Sequence, residues 1–446
     1  AYRRQRQMCI RDRSNGIRTV IAATNTTIST QSSNAPGVYA TAGGEAILTG
    51  GSITTAYNSP GVSANGDGSR IVLNNTQVHA ADGMAARLAG GKLEVNGGSL
   101  TGASAVLLDA TLPTTRTPAF ASIRNATLTA TDTNGVGVDI NATGTSAVLD
   151  NVSIKALGGQ GRGIWLPSVG TELSANTFDI VSSRNGVDTR AGQAVLANGS
   201  ITTLSFQGHG LYASREYGGQ AVIKATQVDI ETHGNLSSGA VARLSGADVS
   251  LQDVRIITRG SAAHGLRAAE AGARLTARDT LVTTTGPGAD GLVVVNGATT
   301  ALDHTQLSIQ GRNAAGIWSY QRDPALGNVI TVANGSQIST QDGVGLLAAG
   351  GDHAFHISDS SITARADGNA DQGVLLRTEW LARGVSGAAT DTESGRILLD
   401  ANHSLLIGDV QADNGAVDIS LTRGTLLMGA VTPGSSGRIE AVTLDA

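Results

Sequence analysis

The sequence predicts an all-β chain wound as a right-handed, single-stranded parallel β-helix, a solenoid of about 14 or more coils of roughly 22–30 residues each. Three observations predict it. The composition is rich in glycine and poor in aromatics. A short strand–turn–strand unit recurs at one internal spacing. A glycine landmark precedes most copies at a mean interval of about 26 residues.

Glycine makes up 59 of 446 residues, aromatics 3% and charged residues 15%. So few large side chains cannot fill an ordinary globular core. Yet 40% of the residues are hydrophobic and charge is sparse, which argues against disorder. Without residues 1–13 the chain carries 26 basic and 35 acidic residues, a net charge of −9. That balance excludes a basic face for nucleic acid. No run of about 18 apolar residues occurs, so no segment reads as a membrane-spanning helix.

The repeated unit is an apolar residue, four turn-like residues and a second apolar residue. Its nine copies are Leu48-TGGS-Ile53, Leu73-NNTQ-Val78, Val95-NGGS-Leu100, Leu149-DNVS-Ile154, Leu196-ANGS-Ile201, Ile223-KATQ-Val228, Leu251-QDVR-Ile256, Leu302-DHTQ-Leu307 and Ile357-SDSS-Ile362. Apolar residues two positions earlier, at Ile71, Leu93, Val249 and Phe355, give the period of two expected of a strand with one buried face. Asn, Gly, Asp and Ser between the apolar residues are turn formers.

The landmark is glycine, a small or apolar residue, then often a large one, as at Gly37, Gly163, Gly210 and Gly316. Further copies start at Gly61, Gly83, Gly137, Gly186, Gly239, Gly265, Gly291, Gly345 and Gly373, with a glycine-less copy near Ser104. Each repeat therefore reads as strand, turn, strand and loop, with no helix. Such units bury their apolar faces only by stacking on one another. Pro60, Pro113, Pro118, Pro287 and Pro324 fall in the inferred loops, where no ladder hydrogen bond is lost.

Three regions follow. Residues 14–375 form the regular solenoid. Residues 376–446 are less regular coils, and their last strand reads as interrupted. Residues 1–13 stand apart, with five arginines and Cys9, the sole cysteine of the chain. A reverse translation of Met8–Asp12, ATG TGT ATA AGA GAC, continued by AG, looks like the transposase end used in sequencing libraries. Residues 1–13 are thus expected to be translated adapter, not native protein, ahead of a gene fragment cut at both ends.

The glycine-led coils, the NGGS-type turns and the closing LIGDVQADNGAVDISLTRGTLLMGAV resemble the passenger domain of a pertactin-type autotransporter of Gram-negative bacteria, over about residues 15–446. The resemblance implies a signal peptide upstream and the chain's own outer-membrane β-barrel translocator downstream. It implies display at the bacterial surface, anchored in the outer membrane or released after cleavage. Expected partners are a host surface protein, a glycan or a second copy of the chain.

Enzymatic readings find little support. GHG at Gly208–Gly210 resembles a polygalacturonase motif, but the clustered aspartates and the RIK-like segment of that family are missing. The local pattern recurs as AHGL at 263–266, where it simply begins a repeat. The GDSGS motif of serine-protease autotransporters does not occur, and NGDGS at 65–69 reads as a loop. His353 and His356, three apart on a strand, are expected on opposite faces and not as a metal pair. No cofactor, metal or catalytic residue is assigned. The expectation is a non-enzymatic, adhesin-like passenger. A carbohydrate-active β-helix enzyme and a passive stalk are the alternatives, and a pair of carboxylates facing one groove within about 10 Å would favour the enzyme.

One binding face stands out. The second residue after each landmark glycine should point outward, and Tyr39, Trp165, Tyr212 and Trp318 occupy that position. Tyr320 shares the face of Trp318. These are five of the eight Tyr and Trp residues beyond position 13, and exposed aromatics suit sugar or protein contact.

Overall fold

The computed structural model describes residues 8–11 (backbone), 19–109, 117–323, 325–365, 373–380 and 394–445. The described residues form a parallel β-solenoid of about 15 turns, without helix. Backbone contacts divide it into two units. One comprises Ala1–Ser205 with Glu216–Ile223, the other Phe206–Arg215 with Lys224–Ala446.

A turn of the first unit has a short strand after the landmark, such as Val62–Asn65, and a long strand such as Arg70–Ala80. The landmark itself is therefore a strand, an element beyond the strand–turn–strand pair read from the sequence. Lys92–Gly102 pairs in parallel with Arg70–Ala80 on one side and Phe120–Ala130 on the other. The register stacks like on like. Leu48, Leu73, Val95, Ile123 and Leu149 form one inward column. Ile53, Val78, Leu100, Leu128, Ile154 and Ile180 form a second. These residues are buried, so the narrow interior is filled by medium aliphatic side chains. The second unit repeats the scheme with Ile256, Val282, Leu307, Ile338 and Ile362.

Between the two inward columns the chain turns at a residue with positive φ: Asn75, Asn125, Asn151 and Asn198 in the first unit, Asp253, Asp279, His304, Asp359 and His403 in the second. Short polar side chains tolerate this left-handed conformation best. They also bond between turns, as from Asn151 Nδ2 to Asn125 Oδ1 at 2.8 Å and Asn198 Nδ2 to Asn176 Oδ1 at 2.8 Å. This position corrects one repeat. In the unit read as Ile223-KATQ-Val228 the positive φ belongs to Gln227, and Ile230 pairs with Ile256. The true unit is Ala225-TQVD-Ile230. A search for large apolar residues passes over Ala225, which is small but buried.

The landmark glycines have a steric cause. A Cβ on Gly265 would stand 2.7 Å from the Gly291 carbonyl oxygen and closer still to Val282 Cγ1. Gly239, Gly291 and Gly316 meet the carbonyl of the next glycine in the same way. Two starting points shift by two residues. Ala85 and Leu375, not Gly83 and Gly373, stand in this column, since Val62 N–H bonds Ala85 O and Leu346 pairs with Leu376. The copy expected near Ser104 has Ala105 in this column.

Pro60, Pro118 and Pro287 lie outside strands, whereas Pro113 and Pro324 fall outside the described residues. Pro433 sits within Val431–Asp445 beside a register shift at Ala412/Asn414, where a missing N–H is tolerated. Met8–Arg11 runs parallel to Val38–Thr41.

Gly265→Val should lower the stability of the second unit by about 1–3 kcal/mol, read as a lower denaturant midpoint, because neither the carbonyl nor Val282 can withdraw. Gly288→Asn, at a positive φ with no atom within 4 Å of its would-be Cβ, should change the midpoint little.

Candidate functional site

The glycine column fixes the register of the strand that follows it, and so the residues that strand presents outward. In the first unit Tyr39, Ser63, Arg87, Leu107, Asp139, Trp165 and Asp188 stand in one column, each paired with the next. In the second, Tyr212, Val241, Arg267, Val293, Trp318, Leu347 and Arg377 do the same. Four of the five aromatics expected on this face thus occupy equivalent positions. Tyr320 stands in the neighbouring column, between Val295 and Ala349.

Their exposure differs from the expectation. Tyr39, Trp165 and Trp318 are half-buried, but Tyr212 is only 9% exposed and Tyr320 only 4%. Tyr212 stacks on His209 with ring centroids 5.2 Å apart. Tyr320 packs with Ala269, Val293, Val295 and Ala349, and Trp318 leans against that cluster at 4.5 Å from the Tyr320 ring. Beside Tyr320 the stacked residues Ala269, Val295 and Ala349 are apolar, so its ring closes on them, whereas Tyr212 closes on His209. Alternation along one strand cannot reveal this.

The residue before the landmark has its own role. Its N–H is bonded by a side chain from the previous turn. Ser238 N–H donates to His209 Nδ1 at 3.0 Å, Asp290 N–H to His264 Nδ1 at 3.2 Å, and Ala315 N–H to Asp290 Oδ1 at 2.6 Å. The histidines of GHG and AHGL therefore occupy matching places as backbone partners.

The densest polar cluster lies in the first unit around Trp165. The Arg162 guanidinium carbon is 4.6 Å from the indole centroid and that of Arg190 is 5.3 Å. Both cations lie against the ring, so Trp165 acts first as a platform for guanidinium groups. Asp188, fully buried, accepts from Arg190 Nε at 2.7 Å, Arg190 Nη2 at 3.2 Å and Asn185 Nδ2 at 2.7 Å. Arg190 also pairs with Glu216. Arg162 reaches Asp188 only at 3.6 Å, and its buried Nε has no hydrogen-bond partner. Burial pushes the Arg162 guanidinium below its usual range, against the pull of Asp188.

Across Trp165, one turn before it, stands Asp139. Its buried Oδ1 has no hydrogen-bond partner. Burial, and secondarily the neighbouring Asp109, pushes its carboxyl up to about 7 despite Arg162. Asp139 and Asp188 belong to one column two turns apart, about 10 Å at the usual strand spacing. Sequence reasoning misses Asp139, Arg162, Asp188 and Arg190. The intervals of 26 and 23 residues from Asp139 to Trp165 to Asp188 are unequal, so no fixed period aligns them. A charged residue three before an outward Trp is the signal that the sequence offers.

His353 and His356 diverge. His353 is 2% exposed, and its Nε2–H donates to the Gly350 carbonyl at 2.6 Å while Nδ1 accepts from Ser319 Oγ at 2.7 Å. Asn328 Nδ2 donates to the same Oγ at 2.9 Å. His356 is half-exposed beside Asp400 at 3.4 Å. Among the described residues no group of three or more His, Cys, Asp or Glu is arranged to hold a metal ion.

Burial lowers the His353 pKa from 6.5 to about 4. A folded-state pKa below the unfolded value means that the unfolded chain binds the extra proton. The stability of the second unit should therefore be full above about pH 6.5 and fall by about 3 kcal/mol on acidification to pH 4. Carboxylates add their own acid dependence, so the check is comparative. Denaturation midpoints of His353→Gln should fall less steeply over this window than those of the unsubstituted chain.

No protein-family model matches the chain, and no curated protein matches it either.

Proposed function

We propose that the chain is a non-enzymatic, surface-displayed passenger of the autotransporter type that binds a host or matrix ligand along the outward face following the glycine column. One observation carries this reading. In the first unit that face gathers two arginines and two carboxyls around Trp165, and leaves a buried donor and a buried carboxyl oxygen without partners. Buried polar atoms are normally satisfied, so an unsatisfied pair at a partly open surface marks a place where a ligand completes the bonding. A parallel solenoid is a rigid scaffold for such a face.

A second reading rests on Asp139 and Asp188. Two carboxyls about 10 Å apart, one of them held protonated near neutrality, resemble the pair of an inverting glycosidase. Against it, Asp188 is fully buried and its oxygens are occupied by Arg190 and Asn185. It has no room to take a proton from water. Asp139→Asn should leave any release of reducing ends from polysaccharides unchanged, since the passenger reading predicts no such release.

Adhesion to host cells or matrix, measured with the purified chain coated on a surface, should fall at least about fivefold in a Trp165→Ala, Trp318→Ala double variant that keeps its circular dichroism. Unchanged adhesion would count against this face. Sequencing of the genomic locus tests the secretion route, with a β-barrel reading frame downstream as the expected result.

A further inference from the structure

We propose that Arg162, which lies against the Trp165 ring, and Asp139, which pairs with Trp165 from the preceding turn, bind a carboxylated sugar, with the uronate carboxylate on the Arg162 guanidinium and an adjacent ring hydroxyl on the Asp139 carboxyl. This deepens the passenger reading by naming a ligand class, and it rests on that reading only for its biological setting.

Hydrogen bonding singles out Arg162 among the arginines of the cluster, because its buried Nε alone among them lacks a partner. Arg190 has Asp188 and Glu216, and Arg184 donates to Gln160 Oε1 at 2.5 Å. Arg162 has no carboxylate at hydrogen-bond distance. Its nearest, Asp188 at 3.6 Å, is already engaged by Arg190 and Asn185. A cation in this position is under-neutralised. With its carbon 4.6 Å from the indole centroid, the guanidinium still carries its planar fork of N–H donors. That geometry suits a planar carboxylate, which can take two parallel N–H bonds.

Asp139 adds selectivity. It projects from the strand Val136–Ile140, which lies between Val106–Asp109 and Arg162–Leu166. The charged groups facing it are Asp109 from the first neighbour, itself 3.4 Å from Arg87, and Arg162 from the second. Asp109 and burial favour the protonated carboxyl. A protonated carboxyl offers a hydrogen bond and no repulsion to an anion, whereas the ionised form repels it. A uronate ring presents a carboxylate and hydroxyls on one rigid frame and so can meet both unpartnered groups together. An acidic peptide supplies the carboxylate without the hydroxyl.

The test is calorimetric titration of the purified chain with a hyaluronan oligosaccharide, whose sugars alternate between glucuronate and a neutral hexosamine. A chitin oligosaccharide of equal length and a glutamate-rich peptide serve as comparisons. The glucuronate ligand should bind at about pH 6 and weaken about tenfold by about pH 8, as Asp139 ionises. Arg162→Gln should lose about tenfold or more at the lower pH, and Arg162→Lys should recover part of that loss. Asp139→Asn should keep the affinity seen at low pH and lose its pH dependence. Arg278→Gln, at an exposed arginine of the second unit, should bind as the unsubstituted chain does. Circular dichroism of each variant separates loss of binding from loss of fold.

Equal binding of the neutral oligosaccharide overturns the proposal. So does an unchanged affinity in Arg162→Gln, or no heat with any probe. Tighter, Arg162-dependent binding of the peptide overturns the sugar and assigns the site to acidic protein segments. The titration uses the purified chain, so its outcome does not depend on whether the protein is displayed on cells or mediates adhesion.

Discussion

Ten landmark glycines, among them Gly37, Gly163, Gly265 and Gly345, lie with their α-carbons against the carbonyl of the landmark residue one turn on and against a β-branched side chain of their own turn. No Cβ fits there at most positions, and the members without glycine include the small residues Ala85 and Ala105. This close approach pins the start of the following strand at one height on every turn. The in-register columns of aliphatic residues inside and of aromatic and charged residues outside depend on it. Were the approach looser, a slip of one residue would exchange the inward and outward sets.

Polar groups are settled by the same stacking. At the sharp turns, Asn and Asp side chains bond to their counterparts on adjacent turns. Ahead of the glycine, a side chain from one turn satisfies the N–H of the next, which is how His209 and His264 are used. The His353, Ser319 and Asn328 cluster is a complete network inside the second unit. The cluster at Trp165 combines several charged groups around one ring. Two cations lie against one indole, the two carboxyls differ in environment, and Arg162 Nε and Asp139 Oδ1 both lack hydrogen-bond partners.

The strand–turn–strand units are legible in the sequence because both flanking residues are apolar and the turn needs residues that accept positive φ. Legibility fails where one of these cues is missing. Ala225 stands in place of a large aliphatic residue, and Gly83 and Gly373 lie two places from the residues that fill the glycine column. The outward position of Trp165 and Trp318 follows from alternation. The burial of Tyr212 and Tyr320 does not, because it depends on the residues that other turns place beside them.

The sequence by itself determined the class of fold, since period-two apolar runs, turn residues and spaced glycines admit few arrangements other than stacked parallel coils. It also determined which aromatics leave the interior, because alternation within a strand is a local property. Only the tertiary structure decided what those aromatics meet. Coil lengths vary, so residues 23 or 26 positions apart become neighbours through backbone register alone. That register brings Asp139 and Asp188 to either side of Trp165 and sets Arg162 on the indole. The chemistry of the face comes from between turns, where sequence distance and spatial distance part company.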